Sequence, residues 1–307
     1  MIEIPHSPQP VKNSKILKKD KQELRNIFIP CQEDRSYQRK ILLPQLENQI
    51  DPYLSSNSFA YRKSISTYKT VEYFNTLVND GFYWVIKLDI EKYYDSIDRA
   101  ILYKTLSGIL PSYLLEEVKQ SLEVPYIYKN KLYPKNKGIY QGMPISPILS
   151  NLYLTELDRA FTHNNKVATI RYSDDILILS TSKKKLIEAL RKIKRILRKL
   201  KLKWEQSESI NLNTADIVFV GWRFAIEEGR LVVRASRRAE TSLIEALPIK
   251  ITDEEITKCV RGKIYYYTVG LRYSDFYLVA KDIVTKMKGG DTWNRLVSNG
   301  LIPSMVL

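Results

Sequence analysis

With 307 residues, the chain exceeds one small module and can bury a sizeable core spread over two or three subdomains. Its 44% hydrophobic and 27% charged residues are those of a globular protein, and the lack of an N-terminal apolar leader or a run of about 18 apolar residues points to a cytoplasmic protein without a membrane partner. Against 34 acidic residues stand 49 Lys plus Arg, a net +15 that favours a polyanionic partner, nucleic acid first; two cysteines and two histidines exclude a disulfide framework, a zinc site and a histidine-rich nuclease.

Residues 1–26 hold Lys12, Lys15, Lys18, Lys19, Lys21 and Arg25 among prolines and few core formers, which predicts a basic leader, either solvated or ordered by a ligand. A basic helix around 34–40 then runs into the loop 55–58. Residues 67–79 place Val71, Phe74, Leu77 and Val78 at helical spacing, closed by Asp80-Gly81. Residues 83–90 are nearly continuous apolar text, the pattern of a strand inside a sheet. Asp98 can cap a helix over 99–108, and Pro111 opens another to about Leu122. A hairpin turning at Lys129-Asn130 is predicted over 126–133, a loop over 138–144 and a helix over 145–161. Two β-branched and aliphatic runs, 167–172 and 176–180, flank Ser173-Asp174-Asp175, a hairpin with acids in its turn. Over 183–203, Leu186, Leu190, Ile193, Leu197 and Leu200 step by four and three while eleven basic residues fill other positions. That is an amphipathic helix whose cationic face is either solvated or set against phosphates. Short strands follow at 217–224 and 230–233, and the rest, from Ser236 on, is mainly helical.

Asp89 sits inside Val85-Ile86-Lys87-Leu88-Asp89-Ile90, where a carboxylate is costly to desolvate unless a metal, an arginine or a strand-end cap compensates it. Asp174 and Asp175 alone serve a tight turn for ordinary backbone reasons. Together the two segments describe one sheet presenting three carboxylates, the oxygen-rich arrangement that Mg²⁺ prefers. Two such cations about 3.5–4 Å apart are the apparatus of in-line phosphoryl transfer.

The segments Asp89-Ile90-Glu91-Lys92-Tyr93-Tyr94-Asp95-Ser96-Ile97-Asp98, Gln141-Gly142-Met143-Pro144-Ile145-Ser146-Pro147-Ile148-Leu149-Ser150-Asn151 and Arg171-Tyr172-Ser173-Asp174-Asp175 resemble, in order, three motifs of a family. It is that of prokaryotic reverse transcriptases of the group II intron-like assemblage, with its retron, CRISPR-associated and phage-defence members, and the resemblance covers about residues 27–270. It implies an α+β right-hand polymerase: a basic leader (1–26), fingers (27–82), a palm of antiparallel sheet flanked by helices, with finger insertions (83–225), and a short helical thumb (226–307). It implies Asp89, Asp174 and Asp175 as the catalytic set, two Mg²⁺ ions (Mn²⁺ a possible substitute) held by Asp89, the Ile90 carbonyl and Asp174, and Tyr94 as the steric gate against a ribose 2′-hydroxyl. Gln141 and Gly142 would position the incoming nucleotide, and Arg62 and Lys63 would bring cations to its triphosphate. Tyr172, Ser173, Gly221, Trp222 and Arg261 would hold primer and template. One departure stands out: Glu208 falls where the family has a lysine that protonates pyrophosphate, so either Lys201 or Lys203 substitutes or this step is slower here.

The implied activity is RNA-directed DNA synthesis, adding dNTPs to a DNA or RNA primer in a retroelement or antiphage defence system, with a dedicated non-coding RNA or partner protein. Two alternatives stay open. One is a template-independent or protein-primed DNA polymerase, for which 21 tyrosines offer priming hydroxyls. The other is a nucleic-acid-binding scaffold with an inactive palm, against which the complete acidic set argues.

Overall fold

The computed structural model describes residues 6–17, 24–63, 65, 67–162, 166–237, 241, 252, 254–257, 260, 280–281, 283–285 and 290–299. Its first half runs β1 (Val11–Leu17), β2 (Leu24–Ile29), α1 (Gln32–Tyr37), a π-helical stretch (Gln38–Leu42), α2 (Leu43–Ile50), α3 (Thr67–Asn79), β3 (Trp84–Ile90), α4 (Tyr93–Ser96), α5 (Arg99–Ser107) and α6 (Ser112–Glu123). Then come β4 (Tyr126–Tyr128), β5 (Lys131–Tyr133), α7 (Ser146–Tyr153), α8 (Thr155–Arg159), β6 (Val167–Tyr172), β7 (Asp175–Ser180) and α9 (Lys183–Lys199). Five short strands follow, β8 (Trp204–Gln206), β9 (Ile210–Asn211), β10 (Ile217–Phe219), β11 (Trp222–Glu227) and β12 (Arg230–Ala235), and a last helix spans Gly290–Ser298. The chain divides into two compact units, Met1–Ser66 with Ile86–Ser209, and Thr67–Val85 with Ile210–Leu307. Among the described residues no helix is long and apolar enough to cross a membrane.

The first unit holds a sheet ordered β6-β7-β3-β8. In β3 the pleat separates two faces: Ile86, Leu88 and Ile90 are buried, whereas Lys87 is half-buried and Asp89 exposed. This corrects the expected strand with a carboxylate sunk in apolar surroundings, since one side of β3 is open where the acid stands. Leu186, Ala189, Leu190, Ile193 and Leu197 of α9 are buried, and the helix lies against β6 and β7. A second sheet, β2-β1-β4-β5, contains the hairpin turning at Lys129 and Asn130, both with left-handed φ (50° and 60°), as a two-residue turn of matching twist requires.

Two expectations differ here. Residues 11–17 and 24–29, expected within or beside a basic leader, pair antiparallel from Lys12↔Ile29 to Leu17↔Leu24, and Val11 is buried where its amide meets the Pro125 carbonyl. The helix expected over 145–161 is broken at Leu154 into α7 and α8. The Asn151 carbonyl that would continue it accepts instead from Arg171 Nη2 at 3.2 Å and from the Leu154 amide in a tight turn at 3.3 Å.

In the second unit α3 buries Val71, Phe74, Leu77 and Val78, and Phe74 stacks on Phe224 with ring centroids 4.0 Å apart. Residues 217–224, expected as a single strand, form a hairpin between β10 and β11, turned by Val220 (φ 49°) and Gly221 (φ 81°). Strand β12 extends that sheet, and β9 pairs with Trp84 and Val85.

Candidate active site

Strands β6 and β7 pair from Val167↔Ser180 to Tyr172↔Asp175, leaving Ser173 and Asp174 as a two-residue turn. Ser173 takes φ 62°, a left-handed conformation that costs a small side chain less than a β-branched one. Beneath this turn lies Arg171, with its side chain fully buried. Nε donates to Asp158 Oδ1 at 2.8 Å and Nη2 to Asp158 Oδ2 at 2.6 Å; Nη1 donates to Asn151 Oδ1 at 2.9 Å and to the Ser173 carbonyl at 3.1 Å; Nη2 also reaches Ser58 Oγ at 2.6 Å. Burial opposes the guanidinium charge, but the paired Asp158 carboxylate outweighs it and leaves the Arg171 pKa raised. Residues 57–59 run beside β6 as an added parallel bridge, with Phe59 N to Arg171 O and Arg171 N to Asn57 O both at 2.9 Å. One cation thus ties the turn to α7, α8 and the 57–59 segment.

Asp89 projects from the open side of β3, paired across to Glu205 on β8, and β7 neighbours β3 on its other edge. Partial desolvation, then the Asp174 and Asp175 carboxylates, push the Asp89 carboxyl up to about 6. Desolvation raises Asp174 as well, opposed by its own amide, while Asp175 raises it further and Arg25 on β2 lowers it. The three carboxylates therefore share one field. Lys87 lies among them, with Nζ 2.9 Å from Asp175 Oδ1. Among the described residues no three His, Cys, Asp or Glu side chains are already gathered as a metal-ligand group. Ile90 is buried and pairs with Trp204.

Tyr94 is half-buried, and its hydroxyl interacts with Ser150 and with Tyr61. Burial, then Tyr61, raises its pKa, and the same two causes raise that of Tyr172. Tyr61 itself is 45% exposed and left-handed, with φ 57°. The backbone under Tyr94 is fitted to Gly138, where a Cβ would stand 2.6 Å from the Tyr94 carbonyl oxygen, and the Ile139 amide donates to that carbonyl at 2.8 Å. Gly142 needs its missing Cβ for a different neighbour: φ is +114° and a Cβ would come within 2.6 Å of the Phe28 carbonyl oxygen. The Gln141 carbonyl accepts from the Phe28 amide at 2.8 Å, so β2 braces this loop.

Arg62, expected at the triphosphate, bonds within its own loop in this structure. Its Nε donates to Asp51 Oδ1 at 2.8 Å and its Nη1 to the Ser55 and Ser58 carbonyls at 3.0 and 3.2 Å. Lys63 is exposed and pairs with Glu47 at 2.5 Å. Lys201 is tied to Asp98, the cap of α5, at 2.7 Å, which leaves Lys203, exposed, as the other candidate proton donor. Gly221 and Trp222 belong to the second unit, the first in the turn, the second buried at 2% exposure. Arg261 lies outside the described residues.

Sequence reasoning quoted Arg171 and Asn151 only as motif text and did not weigh Lys87, Tyr61, Asp158 or Gly138. Arg171 had a visible signal: it is the one charge within Val-Ala-Thr-Ile-Arg-Tyr, an otherwise apolar strand. Asp158 had none, because acids in short helices are ordinary surface text.

The sequence matches the family described as Reverse transcriptase (RNA-dependent DNA polymerase) over residues 16–221. It is similar to the Group II intron-encoded protein LtrA of Lactococcus lactis subsp. cremoris, at 28% identity over 160 residues, 50% of this chain and 25% of that protein. It is similar to Protein YkfC of Escherichia coli (strain K12), at 24% identity over 264 residues, 74% of this chain and 68% of that protein. Among solved structures, that of apo telomerase from Candida Tropicalis superposes with a TM-score of 0.65 at 14% identity, covering 98% of this chain and 60% of that one. That likeness shows the α+β right-hand polymerase fold. The chain spans a quarter of the LtrA protein.

Proposed function

Since this chain belongs to the reverse transcriptase family, we propose that it is an RNA-directed DNA polymerase that adds dNTPs to a primer 3′ end at the Asp89, Asp174 and Asp175 cluster. The observation carrying this reading is that three carboxylates from adjoining strands stand close enough that, after desolvation, Asp174 and Asp175 are the main causes lifting the Asp89 carboxyl to about 6. The cluster fits Mg²⁺ in donor chemistry: its ligand atoms are all oxygen, and a divalent cation offsets the desolvation and mutual repulsion that raise Asp89 and Asp174. Asp89, Asp174 and the Ile90 carbonyl would hold two ions, with Asp175 completing the set once released from Lys87, and Mn²⁺ can substitute. Bound there, the metal would activate the primer hydroxyl and stabilise the leaving pyrophosphate.

The remaining work falls to side chains. Arg171 fixes the height of the Ser173-Asp174 turn through the Ser173 carbonyl. Tyr94, braced by Gly138 and facing Tyr61, bounds the sugar and rejects a 2′-hydroxyl. Gln141 and Gly142 line the nucleotide's approach from a loop that β2 supports. The template is RNA and the primer DNA or RNA, and the enzyme works in a retroelement or antiphage system with a dedicated RNA or protein partner. The test is extension of a DNA primer on a heteropolymeric RNA template with Mg²⁺ and labelled dNTPs. Templated products from wild type, none from Asp89→Ala or Asp174→Ala and retained RNA binding by both variants are the expected result. Products whose sequence ignores the added RNA would overturn templated synthesis, and wild-type extension by either variant would overturn the assigned cluster.

A further inference from the structure

Helix α9 carries nine Lys or Arg against a single acid, Glu188. At 100° per residue, Lys184, Arg191, Arg195 and Arg198 fall within about 60° of one another, opposite Leu186, Leu190, Ile193 and Leu197. All four stripe residues are exposed, and all four opposing residues are buried. From Lys184 to Arg198 the stripe runs about 21 Å along the helix axis.

Two observations separate this stripe from a merely soluble face. Three of its flanking cations have local partners: Lys185 pairs with Glu188 at 2.8 Å, Lys199 with Glu156 at 2.7 Å, and Lys192 donates to the Ala160 carbonyl at 3.0 Å. Among the described residues Lys184, Arg191 and Arg195 have no ion pair, and Arg198 lies 5.6 Å from the Trp204 ring. The sign is also wrong for helix stability. The first turn is Lys183-Lys184-Lys185 with no acid, against the helix dipole, and Arg191 and Arg195 repel each other at i,i+4. Arg198 suits the C-terminal dipole, and Glu188 stands near Lys184 and Arg191. One acid against nine cations still leaves a surplus that solubility does not require, since interleaved glutamates serve it equally, and that surplus calls for an anion outside the chain.

We infer that the outer stripe of α9 is a second RNA-binding surface, separate from the catalytic cluster, which takes the phosphate backbone of a structured RNA. The stripe points away from the sheet that bears the carboxylates, because the opposite side of α9 is the one laid on β6 and β7. A lipid surface fits poorly, since interfacial helices insert an apolar face and here that face is buried in the sheet. A straight cationic row matches a continuous line of phosphates, and contacts of this kind bind by counterion release.

The test compares wild type with the variant Lys184→Gln, Arg191→Gln, Arg195→Gln, Arg198→Gln. The polymerase cleft is first filled with excess chain-terminated primer–template, and binding of a labelled RNA stem-loop is followed by anisotropy across a salt series. Wild type should bind the stem-loop and the variant at least tenfold more weakly, with the slope of log K against log salt reduced by about 3. Extension of a short primer–template should stay within about twofold, and the thermal midpoint of the variant should shift little, because the relief of Arg191–Arg195 repulsion offsets the lost Arg198 contact with Trp204. Equal stem-loop affinity and slope in the two proteins would sink the inference, as would wild type failing to bind the stem-loop when the cleft is filled. So would a variant that loses binding to anionic vesicles but keeps the stem-loop. The extension arm reads the polymerase assignment independently.

Discussion

Replacing Asp158 by Asn tests whether the Ser173-Asp174 turn is held in place from below. The substitution is nearly isosteric, so its effect is almost wholly electrostatic. It leaves Arg171, with no solvent exposure, facing an amide in place of the carboxylate that now accepts at 2.8, 3.1 and 2.6 Å. Removing one partner of a buried ion pair costs about 3–5 kcal/mol. The Asn carbonyl still accepts one of those bonds, which returns about 1 kcal/mol, so a net loss of about 2–4 kcal/mol is expected. Against a total stability of about 5–15 kcal/mol that is a large fraction, visible as a urea midpoint lower by about 1 M. Arg171→Lys gives the complementary result. It keeps a positive charge near Asp158 but cannot reach Asn151, Ser58 and the Ser173 carbonyl at once, so single-nucleotide incorporation should fall by more than its stability does. Wild-type urea midpoint and wild-type turnover in Asp158→Asn would refute the reasoning, because a fully buried guanidinium cannot lose its counter-ion without consequence.

Asp89→Asn should abolish incorporation yet stabilise the metal-free protein at neutral pH. The folded carboxyl keeps its proton up to about 6 while the unfolded one releases it near the ordinary 3.8, so stability present below that value is lost as pH rises through about 6. A shift of this size corresponds to about 3 kcal/mol, reduced to about 1 kcal/mol because the residue is exposed, and thermal melts at pH 4 and pH 8 should show a rise of about 2–4 °C only at the higher pH. Lys87→Met should tighten Mn²⁺ binding about two- to fivefold, read by the Mn²⁺ paramagnetic resonance signal, because an exposed ion pair of about 0.2–1 kcal/mol no longer holds Asp175; unchanged affinity would show that Lys87 does not compete with the metal. Gly138→Ala forces a Cβ to 2.6 Å from the Tyr94 carbonyl oxygen at φ +74°, and should lower discrimination between dCTP and CTP in single-turnover incorporation. Unaltered discrimination would separate Gly138 from the gate.

Where local pattern and tertiary demand agree, the elements were legible: α3 matches its predicted span, the cap at Asp98 accepts from the Ile101 amide, and the Lys129-Asn130 turn is where the hairpin text places it. The failures share a cause. Strand β1 has little apolar text of its own and exists because β2 and β4 pair with it on either side. The break between α7 and α8 arises from a carbonyl taken by an arginine 20 residues later. Asp89 looked buried because its neighbours are apolar, yet the pleat turns it to the open side of the strand. In each case the deciding factor is a pairing partner, a side chain of another element or the pleat itself, which local apolar text does not report.

The cations show the same limit most clearly. Arg62 and Arg171 both sit in segments resembling functional motifs, and both have their guanidinium groups committed to carboxylates and carbonyls of the protein. The Arg171 fork has no donor left for a triphosphate without breaking a bond the fold uses, and Arg62 keeps a single Nη2 N–H beyond its four bonds. Lys184, Arg191 and Arg195, in a repetitive basic run that the sequence alone leaves open to solvation, keep their charge outward. What separates the two groups is whether the fold brings an acid opposite: Asp51 and Asp158 come from outside the motif segments, 11 and 13 residues before the arginines they neutralise. A basic residue inside a recognised motif is thus weak evidence for a phosphate contact, and a row without ion pairs on an otherwise ordinary helix is stronger evidence, since the single acid of that helix leaves most of its charge unbalanced.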